Sequence, residues 1–144
     1  MRNHAPLIAF LSCLVGVVFL VLSLGCSGPK QGGTVPAESE LYSLMSAGRA
    51  AFRQGSVEQA ATLYRRALMR ARAMDDASAI GDAAYNLAAC RVSQGKYEKA
   101  RALLAEAKEE IASIHGNLAD ILLVEAKVAR LQGKPDEALA LAEQ

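Results

Sequence analysis

Cysteine thiols are the side chains of this sequence best suited to chemistry, and two of them stand in different surroundings. Cys26 follows Gly25 directly, at the end of an uncharged apolar stretch at residues 7–24. A small residue before a processing point is typical of export signals, so Cys26 lies where such a signal would be cut. Cys90 lies at the end of Leu87-Ala88-Ala89-Cys90, a run of small residues that predicts a buried, unreactive thiol.

The other titratable residues do not predict a catalytic group. The neighbouring pairs Asp75-Asp76 and Glu109-Glu110 indicate solvated helix ends, because adjacent residues do not face each other on a helix. His115 stands alone at a predicted helix end. No hydrolase, phosphate-binding or dinucleotide-binding motif occurs in the sequence. We therefore predict that the protein is not an enzyme, has no small-molecule substrate, and needs no metal or cofactor.

The balance of charge argues against a nucleic-acid-binding protein. The chain has 144 residues, with 16 Lys and Arg against 15 Asp and Glu, and a net charge of +1. A nucleic-acid partner would favour a strongly basic domain.

The cysteine count and the length limit the kind of fold. Only 3 Cys occur, too few outside the apolar leader for a disulfide scaffold. The length allows one small domain or one array of repeats.

The first 26 residues resemble a bacterial lipoprotein signal. Arg2 supplies the positive start, and the segment ends on Ser23-Leu24-Gly25-Cys26. The resemblance implies that residues 1–25 are a signal peptide, and that Cys26 is lipidated and anchors the protein to a membrane through its acyl chains. Two alternatives stay open. The 18-residue apolar run is nearly long enough to be an uncleaved anchor, and the segment could also be an ordinary secretion signal.

Residues 26–37 predict a flexible tether, because they are rich in Gly and Pro and contain Val35 as their one large apolar side chain. With Ser27 after Cys26, the resemblance to lipoproteins implies a place on the periplasmic side of the outer membrane if the cell is Gram-negative.

Residues 38–144 contain one motif three times. The pattern Gln-Gly-x-x-acid-x-Ala begins at Gln54, Gln94 and Gln132, and helical periodicity flanks each copy. Because Gly accepts the left-handed conformation at a helix end, each motif predicts a turn between two helices. Such self-similarity is typical of stacked supersecondary units, and it predicts an all-α fold.

The wider spacing resembles the tetratricopeptide repeat (TPR), a helix–turn–helix unit. Gly48, Ala88 and Ala126 each stand seven residues before a turn glycine, as small residues do where two helices approach closely. The resemblance implies a short right-handed solenoid preceded by the signal or anchor helix. Its repeats would lie at about residues 41–80, 81–118 and 119–144, the last incomplete.

The repeat spacing is longer than usual, at 40 residues from Gln54 to Gln94 and 38 from Gln94 to Gln132, against about 34. We therefore expect longer second helices, or longer turns near residues 75–80 and 114–117.

Local sequence signals predict where two of the helices begin and which residues form the core. Ser56 with Gln59 predicts a capping box, and Pro135 suits the first turn of a helix. Nine large side chains are expected to supply most of the apolar bulk: Tyr64, Leu68, Leu87, Leu103, Leu104, Ile111, Leu118, Leu122 and Leu123.

In this family the first helices of the repeats line a concave groove that binds a segment of another protein. The resemblance places eight side chains there: Tyr42, Arg49, Phe52, Arg53, Tyr85, Asn86, Lys127 and Arg130. In groove-binding relatives an Asn at the place of Asn86 hydrogen-bonds the ligand backbone, which a side-chain amide can do as donor and as acceptor. The alternative is that Asn86 only caps a helix or lies in solvent.

An arginine-rich segment follows the tether. Between Leu41 and Met74 there are six Arg but a single acid, Glu58. Basic residues near a bilayer attract anionic headgroups, and the alternative is a solvated helix face.

These features together predict a membrane-tethered adaptor of the bacterial envelope that binds a protein or an extended peptide. Similar repeat lipoproteins imply a role in assembling an envelope complex, such as outer-membrane proteins or a pilus. The alternative is an anchored N-terminal piece or accessory domain of a longer enzyme or transport complex. It stays open because the third copy reaches Gln144 without the polar capping helix that usually ends such arrays.

Overall fold

The computed structural model describes residues 36–144, so the leader, Cys26 and most of the predicted tether lie outside the described residues. Within that range the chain forms helices and no strand, which confirms the predicted all-α fold. In chain order the helices are α1 (Ala37–Arg53), α2 (Val57–Met74), α3 (Ala77–Ser93), α4 (Tyr97–Ser113), α5 (Ala119–Leu131) and α6 (Pro135–Ala142). None of these helices combines the length and the apolar character needed to cross a bilayer.

The helices form three successive pairs, α1–α2, α3–α4 and α5–α6. Each helix packs against its neighbours in the sequence, so α2 lies against both α1 and α3, and α4 lies against both α3 and α5. The first helices of the last two pairs, α3 and α5, also contact each other. The first helices therefore share one side of the array.

The predicted glycine turns join the two helices of every pair. Gly55, Gly95 and Gly133 have φ of +78°, +69° and +75°, in the left-handed region. At the second turn the Gly95 N–H donates to the Val92 carbonyl at 3.0 Å, and the Lys96 N–H donates to the Arg91 carbonyl at 2.9 Å. These two bonds define a Schellman motif, which satisfies the last carbonyls of α3.

The extra length of the repeats lies mainly in the helices. The four helices α1 to α4 have 17, 18, 17 and 17 residues. Only Asp75 and Asp76 separate α2 from α3, so the first spacing results from the long helices alone. Residues 114–118 separate α4 from α5, so a longer turn contributes to the second spacing.

The ends of α2 and α4 use residues other than glycine in the left-handed conformation. Asp75 has a φ of +53°, and His115, just after α4, has a φ of +56°. Asp76 then caps α3, because its carboxylate accepts a hydrogen bond from the Ala79 N–H at 3.0 Å. Asp75 and His115 thus have structural roles at helix ends.

Two local predictions are wrong and one is confirmed. Ser56 precedes α2 but makes no side-chain capping bond, with φ −81° and ψ 65°, outside the extended region that a capping side chain needs. Its N–H instead closes the glycine turn onto the Ala51 carbonyl at 2.9 Å. Leu123 is 67% exposed, so it contributes no bulk to the core. Pro135 is the first residue of α6, as predicted.

The core is built from small side chains with a few large ones between them. Tyr64, Leu104, Val128 and Cys90 are the largest fully buried side chains. The Tyr64 ring lies over Gly48 so closely that a Cβ at position 48 would be 2.8 Å from a ring carbon. Among residues 36–144, nine alanines have no exposed surface: Ala60, Ala67, Ala71, Ala83, Ala84, Ala88, Ala100, Ala107 and Ala129.

We expect Gly95→Val to lower the free energy of unfolding by roughly 1–2 kcal/mol, because an L residue is strained in the left-handed conformation. No heavy atom lies within 4 Å of a Cβ built on Gly95, so the loss would come from backbone strain and not from a clash. Urea unfolding measures it. Lys99→Gln is the control, since Lys99 is exposed on α4 and its change should be nearly neutral. Equal stability of the two variants would contradict the turn.

Candidate functional site

Two adjoining clefts follow the first helices of the three pairs. One has a volume of about 400 Å³ and lies between α1 and the start of α3. The other, of about 240 Å³, extends across α3 to α5. Arg49 and Asp82 line both clefts, which makes them one continuous surface. We call this surface the groove, and its main lining residues are Tyr42, Met45, Arg49, Asp82, Tyr85, Asn86, Asp120 and Ile121.

Half of the predicted groove residues lie in the groove: Tyr42, Arg49, Tyr85 and Asn86. The others lie elsewhere. Lys127 and Arg130 line a separate surface between α5 and α6. Phe52 is partly buried against the core, and Arg53 is exposed in the last turn of α1.

In the cleft between α3 and α5, two lining residues do not belong to a first helix. Ile111 belongs to α4, and Asn117 belongs to the turn before α5. The side chain of Asn117 accepts a hydrogen bond from the Ala119 N–H at 2.8 Å. An Asn two residues before a helix is a turn signal, and this signal predicts the turn without its position beside the groove.

Asn86 lies inside α3, between the caps Asp76 and Gln94, and it is half-buried. Its Nδ2 donates to the Asp82 carbonyl of the preceding turn at 2.7 Å. This bond uses one amide hydrogen and fixes the plane of the side chain. The second amide hydrogen and the Oδ1 acceptor remain available to a bound segment.

The groove is electronegative around a single arginine. Its charged lining residues are Glu38, Asp76, Asp82 and Asp120 against Arg49. Burial raises the pKa of Asp82, and the Arg49 guanidinium opposes this rise. Burial also raises the pKa of Tyr85, and the Asp120 carboxylate adds to that rise. The Tyr85 phenol therefore stays protonated at neutral pH and can donate a hydrogen bond.

Other potential sites in the described residues are inert or occupied. Within residues 36–144, His, Cys, Asp and Glu side chains form no cluster suited to a metal ion. Cys90 is fully buried, as predicted, and burial raises the pKa of its thiol to about 11. A thiol in this state is a poor nucleophile at neutral pH.

Half of the six arginines in the basic segment are engaged by carboxylates. Arg66 and Arg70 lie 4.0 and 3.3 Å from the Glu40 carboxylate, and the Arg72 Nε donates to Glu106 at 2.9 Å. These contacts join α2 to α1 and α4. They reduce the positive charge that the segment presents to solvent.

Comparison with known proteins identifies the fold. Residues 41–66 and 79–144 match models of the tetratricopeptide repeat. The crystal structure of the TPR domain of Arabidopsis FLU is similar, with a TM-score of 0.71 and 23% identity, over 75% of this chain and 92% of that one. At this identity the likeness concerns the fold alone. None of the curated proteins is a match.

The described residues therefore form a scaffold of tetratricopeptide repeats. This class of domain is generally a non-catalytic module for protein–protein interaction.

We expect folding to make Cys90 unreactive. A rise of its pKa from 9.0 to about 11 lowers the thiolate fraction at pH 8 about a hundredfold, so alkylation by iodoacetamide should slow by at least that factor. Mass spectrometry of the peptide that contains Cys90 measures the rate apart from Cys13 and Cys26. The same protein in urea is the control. Similar rates in the folded and unfolded protein would show that the thiol is accessible.

Proposed function

We propose that this protein is a non-catalytic adaptor, tethered to a bacterial envelope membrane through Cys26, that binds an extended segment of another protein in the groove. The observation that carries the proposal is the continuity of the groove across α1, α3 and α5, where Arg49 and Asp82 line both clefts. A segment bound there would contact all three repeats at once.

A helical scaffold must use side chains to form hydrogen bonds with the backbone of a bound segment. Inside a helix the backbone N–H and C=O groups bond to each other, so they are not available to a ligand. An extended segment brings its own unpaired backbone groups, and the side chains of the groove must satisfy them. Asn86 is suited to this role because it keeps one donor and one acceptor free of its bond to Asp82.

Aromatic side chains and charge would select the segment. Tyr42 is 72% exposed, and Tyr85 is half-buried, so both offer an apolar ring with a polar tip. Four carboxylates line the groove against the one guanidinium of Arg49. This arrangement favours a segment with basic side chains, because complementary charge increases both the rate and the specificity of association.

The membrane part of the proposal depends on the lipoprotein-like sequence that ends at Cys26. Acyl chains would anchor the mature protein, and residues 26–37 would separate the repeats from the bilayer. We place it on the periplasmic side of the outer membrane if the cell is Gram-negative. Assembly of an envelope complex, such as outer-membrane proteins or a pilus, is the role that suits such an adaptor.

We expect Cys26→Ser to abolish labelling by a radioactive or clickable fatty acid and to leave the leader uncut by the lipoprotein peptidase. The reason is that lipidation needs the thiol. Mass spectrometry and membrane fractionation of the intact protein measure both effects. Cys13→Ser is the matched control, since this cysteine lies in the leader and should change neither. A Cys26→Ser protein of normal mature mass that stays lipid-labelled would contradict the anchor.

We expect Asn86→Ala to weaken partner binding roughly ten- to a hundredfold, which is the cost of leaving a buried ligand amide without its hydrogen bond. A photocrosslinking residue in place of Tyr42, in living cells, reports occupancy of the groove. The same residue in place of Met69, which is 64% exposed on α2, reports contacts outside it. The Tyr42 adduct should be lost in Asn86→Ala at unchanged melting temperature.

Thr62→Ala is the matched control for Asn86→Ala. Thr62 also makes a side-chain bond to the carbonyl of the preceding turn, to Glu58 at 3.0 Å, but on the exposed surface of α2. It should leave the adduct intact. If the adduct survives Asn86→Ala but is lost when the charges of Arg65, Arg66 and Arg70 are reversed, the binding site is on the outer helices and the groove proposal is wrong.

A further inference from the structure

The cleft between α3 and α5 has a second side-chain amide besides that of Asn86. Asn117 is exposed in the turn before α5 and lines this cleft. Its Oδ1 accepts a hydrogen bond from the Ala119 N–H at 2.8 Å, and this bond identifies which arm of the amide is the oxygen. Within residues 36–144 the Nδ2 group of Asn117 donates no hydrogen bond. Two amide hydrogens are therefore available in the cleft.

The packing of Ile111 sets the position of this turn against α3. A Cβ built on Gly81 of α3 would lie 2.5 Å from the Ile111 Cδ1, and a Cβ built on Gly116 of the turn would lie 2.6 Å from its Cγ2. The Ile111 side chain thus fits between α3 and the turn because both of its neighbours are glycines. Asn117 follows Gly116 directly, so the same packing sets its distance from α3, where Asn86 lies.

The corresponding side chain of the other cleft shows that capping alone does not require an amide. Asp76 lies at the start of α3 and accepts a hydrogen bond from the Ala79 N–H at 3.0 Å. It lines the cleft between α1 and α3, as Asn117 lines the cleft between α3 and α5. An ionised carboxylate can only accept hydrogen bonds. The two residues support a helix start in similar ways, but Asn117 alone of the two adds donors to the groove.

An extended segment in the cleft between α3 and α5 brings backbone groups of both kinds. Its N–H groups find acceptors in the Asp82 and Asp120 carboxylates and in the Oδ1 of Asn86. Its carbonyls need donors instead, which the carboxylates do not supply. Asn86 has one amide hydrogen left after its bond to the Asp82 carbonyl, whereas Asn117 has two.

We propose that Asn117 is a second positioning residue of the groove, and that its Nδ2 donates to a backbone carbonyl of the bound segment while Asn86 holds the segment from α3. This inference rests on the proposed function, because it needs a segment in the groove. It gives the longer turn at residues 114–118 a role in binding. It also favours an extended partner over a helical one, because the carbonyls inside a helix already accept hydrogen bonds.

A selected peptide is the probe for this role. Short random peptides are displayed against the full-length protein in detergent, and one that binds is synthesised with a fluorescent label. The probe is retained if Asn86→Ala weakens its binding and Thr62→Ala does not, which places it in the groove. Fluorescence anisotropy measures its dissociation constant for each variant, and thermal unfolding in the same buffer measures stability.

Asn117→Ser and Asn117→Asp separate binding from support of the turn. Both keep an oxygen that can accept from the Ala119 N–H, and both lack the amide nitrogen. We expect each to weaken binding of the probe about three- to tenfold, as the net value of one hydrogen bond implies, at a nearly unchanged melting temperature. Ser113→Ala is the control, because Ser113 donates to the Glu110 carbonyl at 2.7 Å beside the same turn but does not line the cleft.

A thioamide scan of the probe identifies the carbonyl. Sulfur in place of one backbone oxygen weakens that acceptor and keeps the N–H of the same peptide unit. At one position the loss of affinity caused by sulfur should be smaller for Asn117→Ser than for the unchanged protein, because both changes act on the same hydrogen bond. Ser113→Ala should show the full loss at that position.

The possible failures are distinguishable. If Asn86→Ala weakens the probe but neither Asn117 variant does, the inference is wrong and the proposed function stands. Weaker binding that comes with a lower melting temperature in both variants would show that Asn117 only supports the turn. Equal effects of sulfur in Asn117→Ser and in the unchanged protein, at every position, would show that Asn117 holds no carbonyl. A library that yields no peptide sensitive to Asn86→Ala would contradict the proposed function itself.

Discussion

Close contact between helices at glycine and alanine positions is the constraint on which this structure depends. The Tyr64 ring lies directly over Gly48, and Ala60 and Ala100, in the first turns of α2 and α4, have no exposed surface. Small residues let helix axes approach, and dispersion contacts grow as the gap closes. The packing also explains the long helices, because each small side chain buries little surface and stability requires many of them. The groove is a consequence, since α2 and α4 each pack against the first helix of their own pair and of the next pair, which brings α1, α3 and α5 to one side.

The repeated turns were predictable from the sequence because one residue type has one physical role there. A glycine that follows a helical stretch is typical of a helix end in the left-handed conformation. The three glycines have this conformation in the structure, with φ from +69° to +78°. The turns after α2 and α4 were harder to predict. Asp75 and His115 take the left-handed conformation without glycine, which Asp tolerates through local hydrogen bonds. The position of those helix ends follows from packing against the next pair and has no sequence signal of comparable strength.

The wrong predictions share a physical cause. Each rested on a local sequence pattern, whereas the outcome depends on the turn or helix that lies beside it. Ser56 has the residue type of a capping box, but the glycine turn uses its N–H and sets its backbone outside the required region. Leu123 continues the apolar period of α5, but whether it is buried depends on a neighbouring helix. The candidate site shows the same limit. Arg49, Tyr85 and Asn86 meet in one cleft, whereas Lys127, at the position of Arg49, lies on another surface because no further helix follows it within the described residues.

Charge then separates the two surfaces that repetition alone would make alike. Carboxylates dominate the groove, whereas Lys127 and Arg130 are the charged residues of the surface between α5 and α6. A basic segment would therefore be attracted to the groove and repelled from the surface between α5 and α6.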